Sequence, residues 1–201
     1  MSKELIKHNI ILKYSSIWQD TIRDGEFTLT NTNRLVRYYD GCNGLKTGST
    51  DKAGYCVSTT AKRGNMQLIA VIMGAESRDI RNEAARILLD YGFGTYSLYE
   101  HPAQYLENVP VLSGKNNITA LYSEGFYSLT KKGKSNKVEL IYNIPENLNA
   151  PVTKGQIVGN ISFMLDDEKI GECNIITNEE IEKITLYELF MLALKIMISG
   201  L

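Results

Sequence analysis

The chain is short of the residues that build metal centres and covalent staples. It has three cysteines, Cys42, Cys56 and Cys173, an odd number with no C-x-x-C spacing, which excludes a zinc ribbon and a complete disulfide framework. It has two histidines, His8 and His101, too few for a histidine-rich metal site. It has no excess of one charge: 22 Lys and Arg stand against 23 Asp and Glu. That balance argues against nucleic acid as a partner, since such binders carry a basic excess. It also lacks long apolar runs and low-complexity segments, so a multi-span membrane protein and a disordered tail are excluded. What remains is an ordinary soluble composition, 201 residues with 43% hydrophobic, enough for one large domain or two small ones.

Residues 1–13 alternate charged and apolar positions and form no signal peptide. Their spacing predicts a helix over 2–13 with Ser2 as its N-cap. A turn at Asp24-Gly25 precedes a short strand near 26–29, and residues 35–39 read as another strand. Strands over 54–61 and 66–73 flank Lys62-Arg-Gly-Asn65 as a hairpin. Residues 78–91 read as a helix whose apolar face is Ala84, Ala85, Ile87, Leu88, Leu89 and Tyr91. Ser77 or Asp79 caps its start, and Gly92 ends it.

After Gly94 the texture changes to short alternating runs at 109–112, 118–121, 125–129, 137–142, 157–165 and 169–176, the pattern of a small all-β domain. Residues 179–201 change again. Leu186, Leu189, Phe190, Ala193, Leu194 and Met197 make an apolar stripe, with Glu182, Glu188, Lys195 and Ser199 mostly opposite. Charge interrupts this stretch too often for a membrane span. It fits a helix lying in a membrane interface, and equally one docked on the β domain or on another copy.

The triplet with chemical content is Lys46-Thr47-Gly48. On an exposed strand, Lys46 offers a cation to a cleft and Thr47 a hydroxyl to a carboxylate. Gly48, lacking a side chain, lets a substrate backbone lie alongside. Ser49 then presents its backbone N–H where an oxyanion develops. The tripeptide alone fits equally a strand end with a solvated lysine.

Its surroundings decide the matter. Tyr39-Asp-Gly-Cys-Asn-Gly-Leu-Lys-Thr-Gly-Ser-Thr-Asp-Lys-Ala-Gly-Tyr-Cys56 is followed by Met66-Gln-Leu-Ile-Ala-Val-Ile-Met-Gly74 and by Arg81-Asn-Glu-Ala. The lead-in carries Tyr14-Ser-Ser-Ile-Trp-Gln-Asp-Thr21 and Thr30-Asn-Thr-Asn-Arg34, and Ala150-Pro-Val-Thr-Lys-Gly-Gln-Ile-Val-Gly159 lies downstream. In that order these segments resemble the low-molecular-weight penicillin-binding proteins that are serine D-alanyl-D-alanine carboxypeptidases.

The resemblance implies an α+β fold. A partial β-lactamase or transpeptidase-like domain of antiparallel strands and a helix covers 1–94. A β-rich domain follows over 95–178, and an amphipathic, membrane-associating helix over 179–201. It makes Lys46, Thr47, Gly48, Ser49 and Thr50 the substrate-side wall of the cleft. Arg81 either reinforces the field that holds the substrate carboxylate or is an exposed helix residue. It implies no cofactor and no metal. The partners it implies are a peptidoglycan stem peptide ending in D-Ala-D-Ala, β-lactam antibiotics in the full-length parent, and a membrane surface met by residues 179–201.

The family's S-x-x-K and S-x-N elements precede its K-T-G strand by more than the 45 residues found here. Ser49-Thr-Asp-Lys52 and Ser128-Leu-Thr-Lys131 match S-x-x-K only as strings, and Ser113-Gly-Lys115 lies in the β domain. The chain is therefore expected to be the C-terminal portion of such an enzyme. It would have no catalytic nucleophile and be inactive alone, its parent lying on the extracytoplasmic face of the cell membrane. The alternative is a non-catalytic truncated module acting in membrane or protein association. A β-lactamase is disfavoured by the appended β domain and helix. Cys42 and Cys56 flank the K-T-G strand, and small buried residues are the expected role of the cysteines.

Overall fold

The computed structural model describes residues 1–199, which fall into two units, Met1–Leu98 and the described residues from Tyr99 onward. The first unit opens with two short helices, α1 (Ser2–Leu5) and α2 (Asn9–Ser15), and a hairpin of β1 (Gln19–Ile22) and β2 (Phe27–Thr30). Helix α3 (Leu35–Tyr38) leads into a three-stranded antiparallel sheet of β3 (Cys42–Thr50), β4 (Gly54–Arg63) and β5 (Met66–Ala75), in that order. Helix α4 (Arg78–Thr95) closes the unit.

Strand alternation and helical periodicity meet in one core. Val57 and Ala61 of β4 and Ala70 of β5 face Ala85, Leu89 and Phe93 of α4. The buried positions of α4 are Arg81, Ala85, Leu89 and Phe93, a single i+4 ridge. Three alanines at this contact let helix and sheet approach closely, and each fully buried Leu or Phe contributes about 1.5–3 kcal/mol.

In the first unit four local expectations differ from what is found. The N-terminal helix is broken between Leu5 and Asn9, and Ser2 is its first helical residue rather than its cap, its hydroxyl 2.7 Å from that of Ser58. Residues 35–38 are a helix, not a strand. The Asn33 side chain accepts the Leu35 N–H at 3.3 Å while its carbonyl accepts that of Val36 at 3.1 Å, which starts a helical turn. Helix α4 runs through Gly92 to Thr95. A Cβ at Gly92 would stand 2.5 Å from Leu68 Cδ1, so this glycine serves close packing and not termination, and buried Phe93 holds the helix on the sheet. The apolar face is also shifted: Ile87, Leu88 and Tyr91 are exposed. Of the two cap candidates it is Ser77 whose hydroxyl accepts the Ile80 N–H, at 3.2 Å.

Strand β6 (Tyr96–His101) leads into the second unit, where it pairs β9 (Phe126–Lys131). The main sheet joins β7 (Gln104–Leu112), β8 (Ile118–Ser123), β10 (Glu139–Asn143), β11 (Leu148–Asn149), β12 (Ile157–Leu165) and β13 (Glu168–Thr177) in the order β10-β12-β13-β8-β7-β11. Its neighbouring strands run antiparallel, except β11, which is parallel to β7. Inward-facing Val109, Val111, Leu121, Ile161, Phe163 and Ile175 form its core, and Phe126 stacks on Phe163 at 4.2 Å between centroids. The expected α+β architecture of antiparallel strands and helix, then an all-β part, then a terminal helix, is what the chain adopts.

The terminal helix, α5 (Leu186–Ser199), begins seven residues later than Glu179. Residues 179–185 belong to the β unit: Ile181 is buried and bridges Val152, and Lys183 bridges Gly114. Thr185 and Glu188 form a capping box, the Glu188 carboxylate accepting the Thr185 N–H at 2.8 Å and the Thr185 hydroxyl accepting the Glu188 N–H at 3.2 Å. Lys115 binds Glu182 at 2.7 Å and Glu188 at 3.0 Å. These contacts lower the Glu188 pKa to about 2, the backbone N–H of Thr185 contributing most. Leu186, Phe190, Met197 and Ile198 lie exposed, so α5 is not docked on the sheet. Among the described residues no helix is long and apolar enough to cross a membrane.

His101 is 6% exposed, edge-on to Phe163 at 5.2 Å, and burial holds its pKa below the ordinary 6.5. The unfolded chain therefore takes up this proton first, and stability falls as pH drops below 6.5. Resistance of the β unit to urea is expected to fall as pH drops below 6.5, above the range where carboxylates titrate. His101→Gln should flatten that limb; an unchanged slope in the variant contradicts the assignment.

Candidate functional site

Strand β3 is an edge strand, paired only to β4 within its sheet. Its register sets Lys46 opposite Ser58, Thr47 opposite Val57, Gly48 opposite Cys56, Ser49 opposite Tyr55 and Thr50 opposite Gly54. Because side chains alternate across a strand, Lys46 shares a face with Ser58, while Thr47 shares the other with buried Val57. Lys46 is exposed and makes no ion pair among the described residues; its ammonium donates to the Thr47 carbonyl. The Gly48 flank is open: a Cβ there would meet nothing within 4 Å. Ser49 and Thr50 are exposed, and the Thr50 hydroxyl accepts the Ala53 N–H at 3.0 Å, closing the β3–β4 turn.

Thr47 is tied to Arg81 through a residue that sequence reasoning did not single out. Its hydroxyl lies 2.6 Å from that of Thr32, and the Thr32 carbonyl accepts Arg81 Nη2 at 3.1 Å. Thr32 is held between two asparagines. Asn31 Nδ2 donates to the carbonyls of Ser15 and Ile17 at 3.1 and 3.0 Å, and Asn31 Oδ1 accepts the Asn33 N–H at 2.9 Å. Asn33, fully buried, donates to the Gly44 carbonyl at 2.9 Å just before the K-T-G triplet. The N-T-N run at 31–33 was the signal available, since a buried Asn needs partners for every polar atom.

Arg81 is not the exposed helix residue allowed as one alternative; it is 3% exposed. Its Nε and Nη2 donate to Asn82 Oδ1 at 3.2 and 2.9 Å. All its acceptors are neutral. Burial lowers its pKa, and repulsion from Arg78 lowers it further. Beside it lies a cavity of about 730 Å³, lined by Trp18, Arg34, Tyr38, Arg78, Arg81 and Asn82 among others.

The two S-x-x-K strings stand away from any helix start. Ser128 and Lys131 are three apart on β9, so they point to opposite faces. Ser49 and Lys52 run from β3 into its turn. The cysteines are free; Cys42 and Cys173 are buried, but Cys56 is only half-buried, its thiol 3.4 Å from the Ala53 carbonyl. Among the described residues no cluster of three His, Cys, Asp or Glu could hold a metal ion.

Comparison with known proteins matches residues 1–77 to the D-alanyl-D-alanine carboxypeptidase family and residues 93–183 to the C-terminal domain of penicillin-binding protein 5. The chain is 38% identical over 192 residues to D-alanyl-D-alanine carboxypeptidase DacF of Bacillus subtilis, covering 91% of this chain and 49% of that one. It is 30% identical over 171 residues to DacC of Escherichia coli, covering 80% and 43%. The crystal structure of penicillin binding protein 5 from Haemophilus influenzae superposes with a TM-score of 0.74 at 27% identity, covering 86% of this chain and 51% of that one. The chain thus spans about half the length of the relatives it matches. Two consecutive family regions, in order along one chain, with the K-T-G strand inside the first, place it among the low-molecular-weight penicillin-binding proteins, the family of serine D-alanyl-D-alanine carboxypeptidases.

Proposed function

We propose that this chain supplies the substrate-gripping wall of a D-alanyl-D-alanine carboxypeptidase that trims peptidoglycan stem peptides. One observation carries the reading: the hydrogen-bonded run Thr47–Thr32–Arg81 couples the K-T-G strand to a buried cation on α4. The Thr47 hydroxyl, on the Arg81 side of β3, binds the peptide's terminal carboxylate, and Lys46, reaching round the open edge of the strand from its other face, attracts it. Arg81 strengthens the same positive field. The bare flank at Gly48 lets the peptide backbone run along the edge of β3 as an added strand. The Ser49 N–H is half of an oxyanion hole, and Thr50 is a polar neighbour.

The acyl-transfer step needs an accessible serine with an adjacent base; neither Ser49 nor Ser128 has one among the described residues, and Ser123, whose hydroxyl lies 3.4 Å from His101 Nε2, is buried in the β unit. By itself the chain binds and does not cleave. Residues 1–94 form the carboxypeptidase part and 95–178 the β-rich part of this proposal. Helix α5, exposed and mainly apolar, is its membrane contact. In the parent enzyme this sets the chain on the outer face of the cytoplasmic membrane, with β-lactams as ligands of the complete site.

The chain is expected to bind an acetylated peptide ending in D-Ala-D-Ala reversibly, and Lys46→Met to weaken that binding roughly tenfold. Gly48→Val should block the peptide while urea unfolding shifts by no more than about 0.5 kcal/mol. Equal binding by all three proteins refutes the site. A fluorescent penicillin should leave no band after denaturing electrophoresis; a labelled band overturns the binding-only reading. In flotation with anionic liposomes, the full chain should rise and a chain ending at Thr185 should stay behind. Rising of both would exclude α5 as the contact.

A further inference from the structure

The cavity beside Arg81 holds more positive charge than one terminal carboxylate needs. Arg34, Arg78 and Arg81 all line it. Among the described residues, the one carboxylate bonded to any of them is Asp79, 3.1 Å from Arg34. Among the described residues the Arg78 side chain makes no hydrogen bond or ion pair. Arg81 is buried with neutral acceptors only, and among the described residues its Nη1 has no hydrogen-bond partner. A buried cation is costly unless a counter-charge meets it, and here a second guanidinium adds repulsion instead. Two aromatic rings line the same cavity: Trp18 meets Tyr38 edge-on at 6.0 Å, and Arg37 stacks over Trp18 at 5.5 Å.

We propose that this cavity is a separate oxyanion subsite, in which Arg78 and the unused Arg81 Nη1 grip a carboxylate or phosphate and Trp18 and Tyr38 flank the group that carries it. The subsite extends the proposed peptide groove, sharing Arg81 with it, and does not depend on Lys46. Its occupant is either a second acidic group on the wall peptide or a free phosphate. Both present oxygens that match a guanidinium fork.

Trp18 is the chain's one tryptophan, so its fluorescence reports on the cavity wall directly. The 201-residue chain is titrated at pH 7 with inorganic phosphate, and separately with succinate, with sodium chloride holding ionic strength constant. A saturable change in emission is expected with at least one of them. Saturation by succinate alone assigns the site to an organic acid, and saturation by phosphate alone assigns it to phosphate. Arg78→Gln should raise the half-saturation concentration roughly fivefold, and Arg78→Glu should abolish the response. Arg78 is exposed and unpaired, so both variants keep the fold, which circular dichroism checks. Lys46→Met should leave this titration unchanged while it weakens binding of the D-Ala-D-Ala peptide, which separates the subsite from the groove. No saturable change with either anion, the same change with chloride alone, or an unaltered curve for Arg78→Gln overturns the proposal.

Discussion

The first unit is organised around a guanidinium that has been taken out of water. Arg81 occupies the first buried position of the i+4 ridge on α4, where Ala85, Leu89 and Phe93 are apolar. Three residues of hydrophobic ridge thus carry one cation down to the level of the sheet. Its hydrogen bonds go to a backbone carbonyl and an amide oxygen, which satisfy donors but leave the charge unmatched. The Asn31-Thr32-Asn33 run, the start of α3 and the Gly44 end of β3 are all arranged around the carbonyl that holds it. If the cation were replaced by an apolar residue, the Thr32 carbonyl would lose its donor, and the link from helix to strand would go with it.

The second unit is built on the opposite principle. Its core is wholly apolar apart from small hydroxyls and His101, and its sheet buries one continuous cluster. Ionic contacts are kept at its rim, as with Lys115 and its two glutamates, or Lys134 and Asp166. Rim pairs of this kind add little to stability, typically below about 1 kcal/mol each. What they do is choose geometry where chain segments meet.

Strand β12 was legible because alternation over nine residues has no competing reading, and it falls at 157–165 where its pattern says; of β7 only 109–112 was legible, because a register shift between Tyr105 and Asn108 breaks the alternation ahead of it. The K-T-G strand was legible from its triplet and surroundings. Failures cluster where tertiary contacts outvote local preference. Leu35 to Tyr38 is apolar and aromatic enough for a strand, yet two backbone donors near Asn33 find helical partners first. Gly92 has the chemistry of a helix terminator, yet the missing side chain is needed against Leu68. Strand β11 is two residues long, too short to show any period. Thr32 escaped notice because the N-T-N run signals buried polar contacts without naming their partners; only the folded chain brings its hydroxyl to Thr47.

The root of α5 has a mechanical implication. A helix joined by a loose linker swivels, and nothing it touches is felt by the domain behind it. Here the last strand-like residues bridge the sheet, the Ile184 N–H bonds the Ser113 carbonyl at 2.9 Å, and the first turn is locked by Thr185 and Lys115. Such a joint behaves as a stiff bracket. Torque on the helix passes into the loop between β7 and β8 and from there into the sheet, so the heading of α5 is inherited from the β unit.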